Sequence, residues 1–436
     1  MNCEKITPLN ESFPDIEFVI EREKVAKDYR NVIALFTQDE SLVDSIAFNT
    51  LSNRVVFTRN MPWRKCSDVR NGTEWTDSDT LNFIRHAGDN YRVIFRVETV
   101  DHAIMMLAQE RRFCPIQKYL DQLQWDGIPR IYNVFADFLG VERNAYTIEV
   151  SSLFFRAAVT RAYRPGCQFD HVIILQGAQG IGKSSFLRIL GGDWYSSSIR
   201  KFEGKEAIEA LNGVLIGEIP ELQGFSKAEV EEIKAFITRT EDSVRPAYGR
   251  WVEHSPRRTL FVGTTNDDDY LRDSTGNRRF FPIICTKALD FKALEAARDQ
   301  LFAEAVALYH SMPNYPLTLH SPEARALAKQ AQEEANYHDP WEDIILPWLD
   351  KEIRADHWEC EAGEYPPCDG HTAQWVMRDR VATLEIWCEC LKFPIEKMTT
   401  PNSKRIANIM RRSGWIRGNY RYGERYPASR GYIKRL

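Results

Sequence analysis

Short apolar runs alternate with amphipathic stretches through the middle of the chain. The runs HVIILQG, GVLIGEI and RTLFVGTTN have the length and continuous apolarity of strands that are buried on both faces. The stretches KSSFLRIL, KEAIEAL and KAEVEEIKAFI between them have helical periodicity. Strands that alternate with helices predict a parallel sheet covered on both faces, so residues 165–310 are expected to form an α/β core.

The segments on either side have a different pattern. Residues 1–164 mix short strand-like runs with helical ones and predict a mixed, helix-rich N-terminal accessory region. Residues 311–374 predict a helical connector that contains an acidic loop with Cys and His. Residues 375–436 read as helix, helix and a hairpin punctuated by Gly and Tyr, an order that resembles a winged helix.

Composition narrows the class of protein. Hydrophobic residues make up 43% of the 436 residues and charged residues 27%, as in ordinary soluble globular proteins. We find no apolar run long enough to span a membrane and no signal-peptide pattern at the N-terminus, so we expect a cytoplasmic protein. Nine cysteines without a secretory signal favour reduced thiols over a disulfide framework.

The stretch GAQGIGKSS at residues 177–185 fits the pattern G-x-x-x-x-G-K-[ST] of a phosphate-binding loop. It follows an apolar strand and opens a helix, which is the context that separates such a loop from an incidental Gly-rich turn. Lys183 is expected to meet the β- and γ-phosphates, and the Ser184 hydroxyl to meet Mg²⁺. The predicted phosphate contacts of the ATP site are Gly177, Gly180, Gly182, Lys183, Ser184 and Ser185.

Polar residues at the ends of the next two apolar runs complete the expected chemistry. The second run, extended to GVLIGEIPEL, ends in Glu218 and Glu221. We expect one of these acids to hold Mg²⁺ and the other to polarise the attacking water; which does which stays open. Asn266 ends the other run, as a γ-phosphate sensor or as a turn residue. Arg278 and Arg279 precede an apolar run and are expected either to reach a phosphate, in the same subunit or a neighbour, or to form a structural ion pair.

Between these motifs lies RPAYGRWVEH, where a turn glycine is flanked by basic and aromatic residues. Arg245, Tyr248 and Arg250 therefore predict a hairpin. A simple surface hairpin is the alternative to a functional one.

The order of five motifs resembles the virulence-associated protein E family of phages and mobile elements. The motifs are GAQGIGKS, EIPEL, FITRTEDSVRPAYGR, GTTNDDDYL and STGNRRFFPI, with RRFCPIQKYL and WDGIPR upstream. The resemblance covers about residues 80–300. It implies an ATPase module similar to superfamily 3 helicases of the AAA+ class, hence an α/β P-loop NTPase core. Such enzymes form rings, usually hexamers, that thread a single strand with 3′-to-5′ polarity.

The same resemblance implies a role for each matching position. Gly182, Lys183 and Ser184 become the phosphate and Mg²⁺ contacts, and Asn266 the sensor. Glu218 and Glu221 become the acidic motif, although two residues separate them where many such ATPases have adjacent acids. Arg278 or Arg279 becomes an arginine finger that acts across a subunit boundary. The hairpin with Arg245, Tyr248 and Arg250 becomes the element that grips DNA in the channel, and residues 1–164 become a ring-forming region.

The end of the chain is strongly basic. Residues 397–436 contain eleven Lys and Arg against one acid, Glu424, so this segment carries +10 while the whole chain carries −5. Interleaved Trp415, Tyr420, Tyr422, Tyr426 and Tyr432 suit stacking on bases. The predicted DNA contacts here are Lys404, Arg405, Arg411 and Arg412, and a solvated surface is the alternative.

A cluster of metal-ligand residue types lies in the predicted connector. His357, Cys360, Cys368 and His371 read H-x2-C-x7-C-x2-H, which offers four ligands for Zn²⁺. The spacing is not a common zinc-finger one. An acidic insertion without metal is therefore the favoured interpretation, and zinc the alternative.

Together these features predict an ATP- and Mg²⁺-dependent DNA helicase for phage or mobile-element replication, acting on single-stranded or forked DNA as a homo-hexamer. A primase, if needed, would be a separate protein. One alternative is an ATP-switched DNA-binding initiator or regulator that does not unwind DNA. Another is an NTP-driven assembly or defence protein without a nucleic-acid substrate, which the basic aromatic tail disfavours.

Overall fold

The computed structural model describes residues 16–221, 224–225, 227–244, 253–268, 270–271, 277–335, 339–357, 374–422 and 426–434. Contacts divide the chain into two compact units, Met1–Asn336 and Tyr337–Leu436. This division differs from the sequence-based boundaries after residues 164, 310 and 374. The helix Pro322–Glu334, which the sequence assigns to a connector, packs against the helix Ala145–Tyr163 in the core of the first unit.

The strands are numbered in chain order. They are β1 (Ile20–Glu21), β2 (Lys24–Val25), β3 (Ile46–Asn49), β4 (Arg54–Phe57), β5 (Thr73–Glu74), β6 (Arg112–Phe113), β7 (Val172–Gln176), β8 (Tyr195–Ser196), β9 (Ile216–Ile219), β10 (Glu241–Val244), β11 (Glu253–Pro256), β12 (Leu260–Thr265), β13 (Phe280–Ile284), β14 (Ile353–Arg354), β15 (Trp375–Val376), β16 (Arg380–Ala382), β17 (Trp415–Tyr422) and β18 (Tyr426–Lys434).

The helices are named by their residues. In the first unit they are Tyr29–Gln38, Asp77–Tyr91, Val97–Glu110, Pro115–Asp121, Val134–Leu139, Ala145–Tyr163, Lys183–Gly191, Gly204–Glu209, Lys227–Ile237, Phe291–Ser311 and Pro322–Glu334. In the second unit they are Glu342–Leu349, Thr383–Glu385, which continues into a π turn to Cys390, and Thr400–Arg412.

A five-stranded parallel sheet organises the middle of the first unit. Its strand order is β13-β7-β12-β9-β8, and every neighbouring pair runs parallel. Because the carboxyl ends of all five strands point to one edge, the loops that follow them meet there. The prediction of an α/β core with a parallel sheet is confirmed.

Helices cover both faces of this sheet because its strands are apolar on both sides. In β7, Ile173 and Leu175 pack with the helices Ala145–Tyr163 and Phe291–Ser311. The alternate residues Val172 and Ile174 pack on the other face with the helix Lys227–Ile237. Each fully buried aliphatic side chain of this kind contributes about 1.5–3 kcal/mol of transfer free energy, so the continuous apolar run favours a two-sided burial.

The start of the described chain builds a smaller layer. Strands β5-β4-β3-β6 form a four-stranded mixed sheet, in which β3 and β6 are parallel and the other pairs antiparallel. The helices Tyr29–Gln38, Asp77–Tyr91 and Val97–Glu110 pack on it around a separate apolar cluster. This arrangement agrees with the mixed, helix-rich character that the sequence predicts for the N-terminal region.

The second unit contains a three-stranded antiparallel sheet of order β16-β18-β17. Its core joins the helix Thr400–Arg412 to this sheet through Ile406, Ile409 and Met410. Thr399 caps that helix, accepting a hydrogen bond at its hydroxyl from the backbone N–H of Asn402. Across the described residues of both units, every helix is too short or too polar to cross a membrane.

Candidate nucleotide-binding site

The loop between β7 and the helix Lys183–Gly191 has a backbone that depends on glycine. Gly177, Gly180 and Gly182 all have positive φ values, of 154°, 83° and 99°. A Cβ atom at Gly182 would lie 2.7 Å from Leu289 Cβ, and one at Gly177 would collide with the Cys285 carbonyl oxygen. The loop therefore has the conformation and the close approach that only glycine permits.

Lys183 is buried inside this loop. Its Nζ donates to the Gly177 carbonyl at 2.6 Å, to the Ala178 carbonyl at 2.9 Å and to Asn266 Oδ1 at 2.9 Å. Burial lowers the pKa of Lys183, while Cys285 and Glu218 act in the opposite direction. These bonds place the amine at the carboxyl edge of the sheet, between the predicted phosphate loop and the end of β12.

Glu218 lies in β9 and is only 1% exposed. Its Oε1 accepts hydrogen bonds from Ser184 Oγ at 2.7 Å and from Thr264 Oγ1 at 2.6 Å, and its Oε2 accepts one from the Tyr195 hydroxyl. Burial, followed by this contact with Glu218, raises the pKa of Tyr195 to about 12, so the phenol is a donor at neutral pH. Three hydroxyls thus hold one buried carboxylate beside the phosphate loop.

A pocket of about 340 Å³ opens at this edge of the sheet. Its size lies at the lower end of the range of small-molecule sites. Predicted residues line most of it: Gly180, Gly182, Lys183, Ser184, Ser185, Glu221 and Asn266. Glu221 is exposed there and has a φ of +53°, a left-handed backbone that is uncommon for a residue with a side chain.

Three residues of the site, Tyr195, Thr264 and Phe291, are not predicted by the sequence. Tyr195 comes from the short edge strand β8, where no motif marks it. Thr264 belongs to a strand that the sequence identifies, but only the pairing of β12 with β9 brings its hydroxyl to Glu218. Phe291 begins a helix distant in sequence, lines the pocket and is 48% exposed, so its ring is available to a planar ligand.

The family model described as the virulence-associated protein E-like domain matches residues 120–337, which is half of the chain. The chain belongs to this family. Among curated proteins, none matches it. Two solved structures of the NrS-1 C-terminal region in the apo state are similar to it, at 14% and 13% identity and TM-scores of 0.44 and 0.45. Both alignments cover 89% of this chain and 96% of the other chain.

The two arginines of this virulence-associated protein E-like chain lie away from its phosphate loop. Arg278 is exposed, and Arg279 Nε lies 3.7 Å from Asp170 Oδ2. Both precede β13, whose residues Phe280 to Ile284 pair in register with β7 from Val172 to Gln176. They are therefore at the amino edge of the sheet, and the phosphate loop is at the carboxyl edge, roughly 16 Å away over five strand residues. Neither arginine reaches the predicted phosphate loop of the same chain.

The predicted gripping hairpin is described at its base. β10 and β11 pair antiparallel, with Val244 opposite Glu253, as the sequence predicts for a hairpin. Arg245, Tyr248 and Arg250 lie outside the described residues.

Of the four candidate zinc ligands, Cys360, Cys368 and His371 also lie outside the described residues. His357 is described, and it is 2% exposed. Its Nε2 lies 3.0 Å from Oε1 of Glu385, which also pairs with Arg378. The side chain thus sits in a buried ionic cluster of the second unit.

The basic tail divides into engaged and solvated residues. Arg405 makes two 2.6 Å hydrogen bonds to Asp339 and stacks on Trp341, and Arg412 Nη1 lies 3.3 Å from Glu342. Lys404 and Arg411 are exposed.

The expected stacking role of three aromatic residues is wrong. Trp415, Tyr426 and Tyr432 are buried, with exposed fractions of 6%, 9% and 1%. Trp415 and Tyr432 belong to the apolar core of the second unit, and Tyr426 packs against Ala382. The alternation along β17 and β18 turns these rings inward, and no base can reach them there.

Proposed function

We propose that this protein is an ATP-dependent DNA helicase of the superfamily 3, AAA+ type that serves phage or mobile-element replication in the cytoplasm of a bacterial host. The observation that carries the proposal is the meeting of Lys183, Ser184, Glu218 and Asn266 at one edge of a parallel sheet. Membership of the virulence-associated protein E-like family supports the same class. In this proposal the second unit contributes a winged-helix-like DNA-binding element.

The chemical groups at the pocket suit ATP with Mg²⁺. The glycine-dependent loop opens a helix whose N-terminus favours an anion, and Lys183 adds a positive charge. A hydroxyl and a carboxylate, Ser184 and Glu218, approach to 2.7 Å, and hard oxygen ligands of this kind suit Mg²⁺. Bound Mg²⁺ would neutralise charge on the phosphates, which is the chemistry that phosphoryl transfer requires.

The environments of the two acids divide their roles. Glu218 is buried and bonded to Ser184, so we assign it to the metal. Glu221 is exposed and lines the pocket, where a water molecule has access to it. We therefore assign Glu221 to orienting the attacking water. Asn266 accepts a hydrogen bond from the amine that would bind the γ-phosphate, which suits a sensor of that group.

An arginine finger in this proposal acts between subunits. Arg278 is exposed at the amino edge of the sheet, too far from its own phosphate loop for contact, and it is therefore our candidate for the site of a neighbour in a homo-hexameric ring. Arg279 is the second candidate and already faces Asp170. Ring closure would then couple hydrolysis in one subunit to movement in the next, with 3′-to-5′ translocation on single-stranded DNA.

The test measures ATP hydrolysis with and without single-stranded DNA, for the wild type, Lys183→Ala and Arg245→Ala/Arg250→Ala. The wild type should hydrolyse ATP and be stimulated by DNA. Lys183→Ala should fold normally and lose hydrolysis, because the phosphates lose their cation. The double variant should keep basal hydrolysis and lose the stimulation, and forked-DNA unwinding should disappear with it.

Two other outcomes would reject parts of the proposal. Normal turnover by Lys183→Ala would remove the nucleotide-site assignment. If DNA changes the rate of ATP hydrolysis in none of these proteins, the helicase proposal would give way to a switch or assembly function.

A further inference from the structure

A second pocket, of about 180 Å³, lies in the first unit at the base of the β10–β11 hairpin. Residues of β11 and the segment after it form one wall, and Leu51, Asn53 and Arg112 of the N-terminal layer contribute to another. Asn53 Nδ2 donates to Ser255 Oγ at 3.0 Å and ties the two walls together. Nothing in the ATP site uses this pocket.

The pocket carries a net positive charge. Its acid, Asp242, is occupied by Arg257, whose Nε donates to Asp242 Oδ2 at 2.9 Å, and this pair is buried. Arg112 and Arg258 remain, and within the described part of the chain neither pairs with a carboxylate. Arg258 Nη1 contacts Cys114 Sγ at 3.1 Å, and the Arg112 guanidinium lies 5.7 Å from the centre of the Phe48 ring.

Arg258 is half-buried and Arg112 is exposed, and both line a pocket whose one acid, Asp242, is already paired. Burial lowers the pKa of Arg258, Cys114 partly offsets this, and the positive charge of Arg112 lowers it further. An anion between the two would reduce their mutual repulsion and accept hydrogen bonds from both guanidinium groups. The lining of the pocket therefore favours an anionic ligand over a neutral one.

The size and position of the pocket indicate which kind of anion it would bind. A volume of about 180 Å³ is below the roughly 300 Å³ of sites for whole small molecules, so a single anionic group fits better than a complete nucleotide. Paired arginines match the geometry of phosphate oxygens. The pocket includes His254 and Ser255 of β11, and the segment that joins β10 to β11 contains Arg245 and Arg250 in the sequence.

We propose that Arg112 and Arg258 form a phosphodiester-binding pocket that holds the backbone of the single strand engaged by the hairpin. The proposal rests on the proposed nucleic-acid function and extends it to the N-terminal layer, which would contribute Arg112 to the track of the strand. It assigns backbone contact and no base preference to this pocket, because its charged groups match phosphate and not base edges.

The test is the affinity of the full chain for a fluorescein-labelled oligothymidylate, measured by anisotropy at several salt concentrations with a non-hydrolysable ATP analogue. Arg112→Gln should weaken binding about tenfold at low salt and reduce the salt slope by about 0.7, the value for one phosphate of a single strand. Arg112→Lys should retain most of the slope. Arg258→Lys, which keeps the charge but not the fork, should weaken binding less than Arg112→Gln.

Arg85→Gln is the matched control, since Arg85 is exposed on the helix Asp77–Tyr91. This variant should bind like the wild type. If Arg112→Gln has the same DNA affinity and the same salt slope as the wild type, while DNA still stimulates ATP hydrolysis, that result would reject the phosphate pocket and leave the helicase proposal standing. A wild type that binds no DNA would reject both proposals. Calorimetry can also measure the binding of inorganic phosphate. If the wild type binds phosphate, Arg112→Gln does not, and the DNA affinity of that variant is unchanged, the pocket would be assigned to a free anion instead.

Discussion

Replacing Glu218 by glutamine separates the metal role proposed for this carboxylate from its structural role. The amide has nearly the shape of the carboxylate, and its oxygen can still accept from Ser184 and Thr264, which both donate to Oε1. The amide nitrogen would then face the Tyr195 hydroxyl, which can accept a hydrogen bond. What the substitution removes is the negative charge.

The effect on stability follows from these contacts. A hydrogen bond to a charged group contributes about 1.5–3 kcal/mol and one between neutral groups about 0.5–1.5 kcal/mol, so three bonds lose about 3–4 kcal/mol together. Glu218 is 1% exposed, and removing a buried charge regains several kcal/mol of desolvation. The two terms nearly cancel, and Glu218→Gln should keep the free energy of unfolding within about 2 kcal/mol of wild type. Glu218→Ala leaves the buried Thr264 hydroxyl without its acceptor and empties a buried site, so it should lose about 3 kcal/mol or more.

Hydrolysis should respond differently. Both variants should lose at least about a hundredfold in turnover, as sites do when a group that organises transition-state charge is removed. ATP binding by Glu218→Gln should also lose its dependence on Mg²⁺. The assays are urea unfolding, steady-state ATP hydrolysis and ATP-analogue binding with and without Mg²⁺.

Glu221→Gln is the matched comparison, because Glu221 lines the same pocket but is exposed. It should unfold like the wild type, bind ATP in a Mg²⁺-dependent way and still lose hydrolysis. Hydrolysis by Glu218→Gln within tenfold of wild type would refute the assignment of Glu218 to the metal. Loss of Mg²⁺-dependent binding in Glu221→Gln alone would exchange the two roles.

Two further predictions concern arginines. Arg278→Ala should abolish ATP hydrolysis in a ring made only of that variant. Mixing it with Lys183→Ala subunits, which still supply the finger, should restore part of the hydrolysis. Full hydrolysis by both Arg278→Ala and Arg279→Ala would show that the finger is another residue. Arg405→Gln should lower the stability of the second unit by about 1–2 kcal/mol through the lost ion pair and Trp341 contact, whereas Arg411→Gln should weaken DNA binding without changing the melting curve. The opposite pattern in calorimetry and anisotropy would make Arg405 the DNA contact.

The part of the site that the sequence predicts is the part built from contiguous residues. GAQGIGKSS contains its own backbone requirements, since glycines at 177 and 182 are needed by the turn itself. The three apolar runs likewise carry the signal of two-sided burial, so the parallel sheet was predictable. Asn266 and the two acids could be proposed because they lie at or near the ends of such runs, and the carboxyl ends of parallel strands share one edge.

The part that the sequence could not predict depends on strand order. Thr264 meets Glu218 because β12 lies beside β9, and Tyr195 does so because β8 is the edge strand beyond β9. Nothing local in either residue's neighbourhood records that pairing. Arg112 and Arg258 line one pocket although they are far apart in the chain, which again leaves no local pattern.

Charge patterns were the least reliable signal, because a sequence counts charges without showing their partners. Arg405 looked like its neighbour Arg411, yet the tertiary structure gives Arg405 a carboxylate and an indole and leaves Arg411 in solvent. The sequence predicted Trp415 and Tyr432 as stacking residues, but the alternation along their strands points both side chains into the core. The sequence by itself determined the glycine-dependent loop, the parallel sheet and the family, because each depends on local motifs, local backbone geometry or hydrophobic periodicity. The tertiary structure alone decided which acid is buried, which edge of the sheet Arg278 and Arg279 occupy and which cations of the described residues have a carboxylate partner, because burial and pairing arise between segments far apart in the chain.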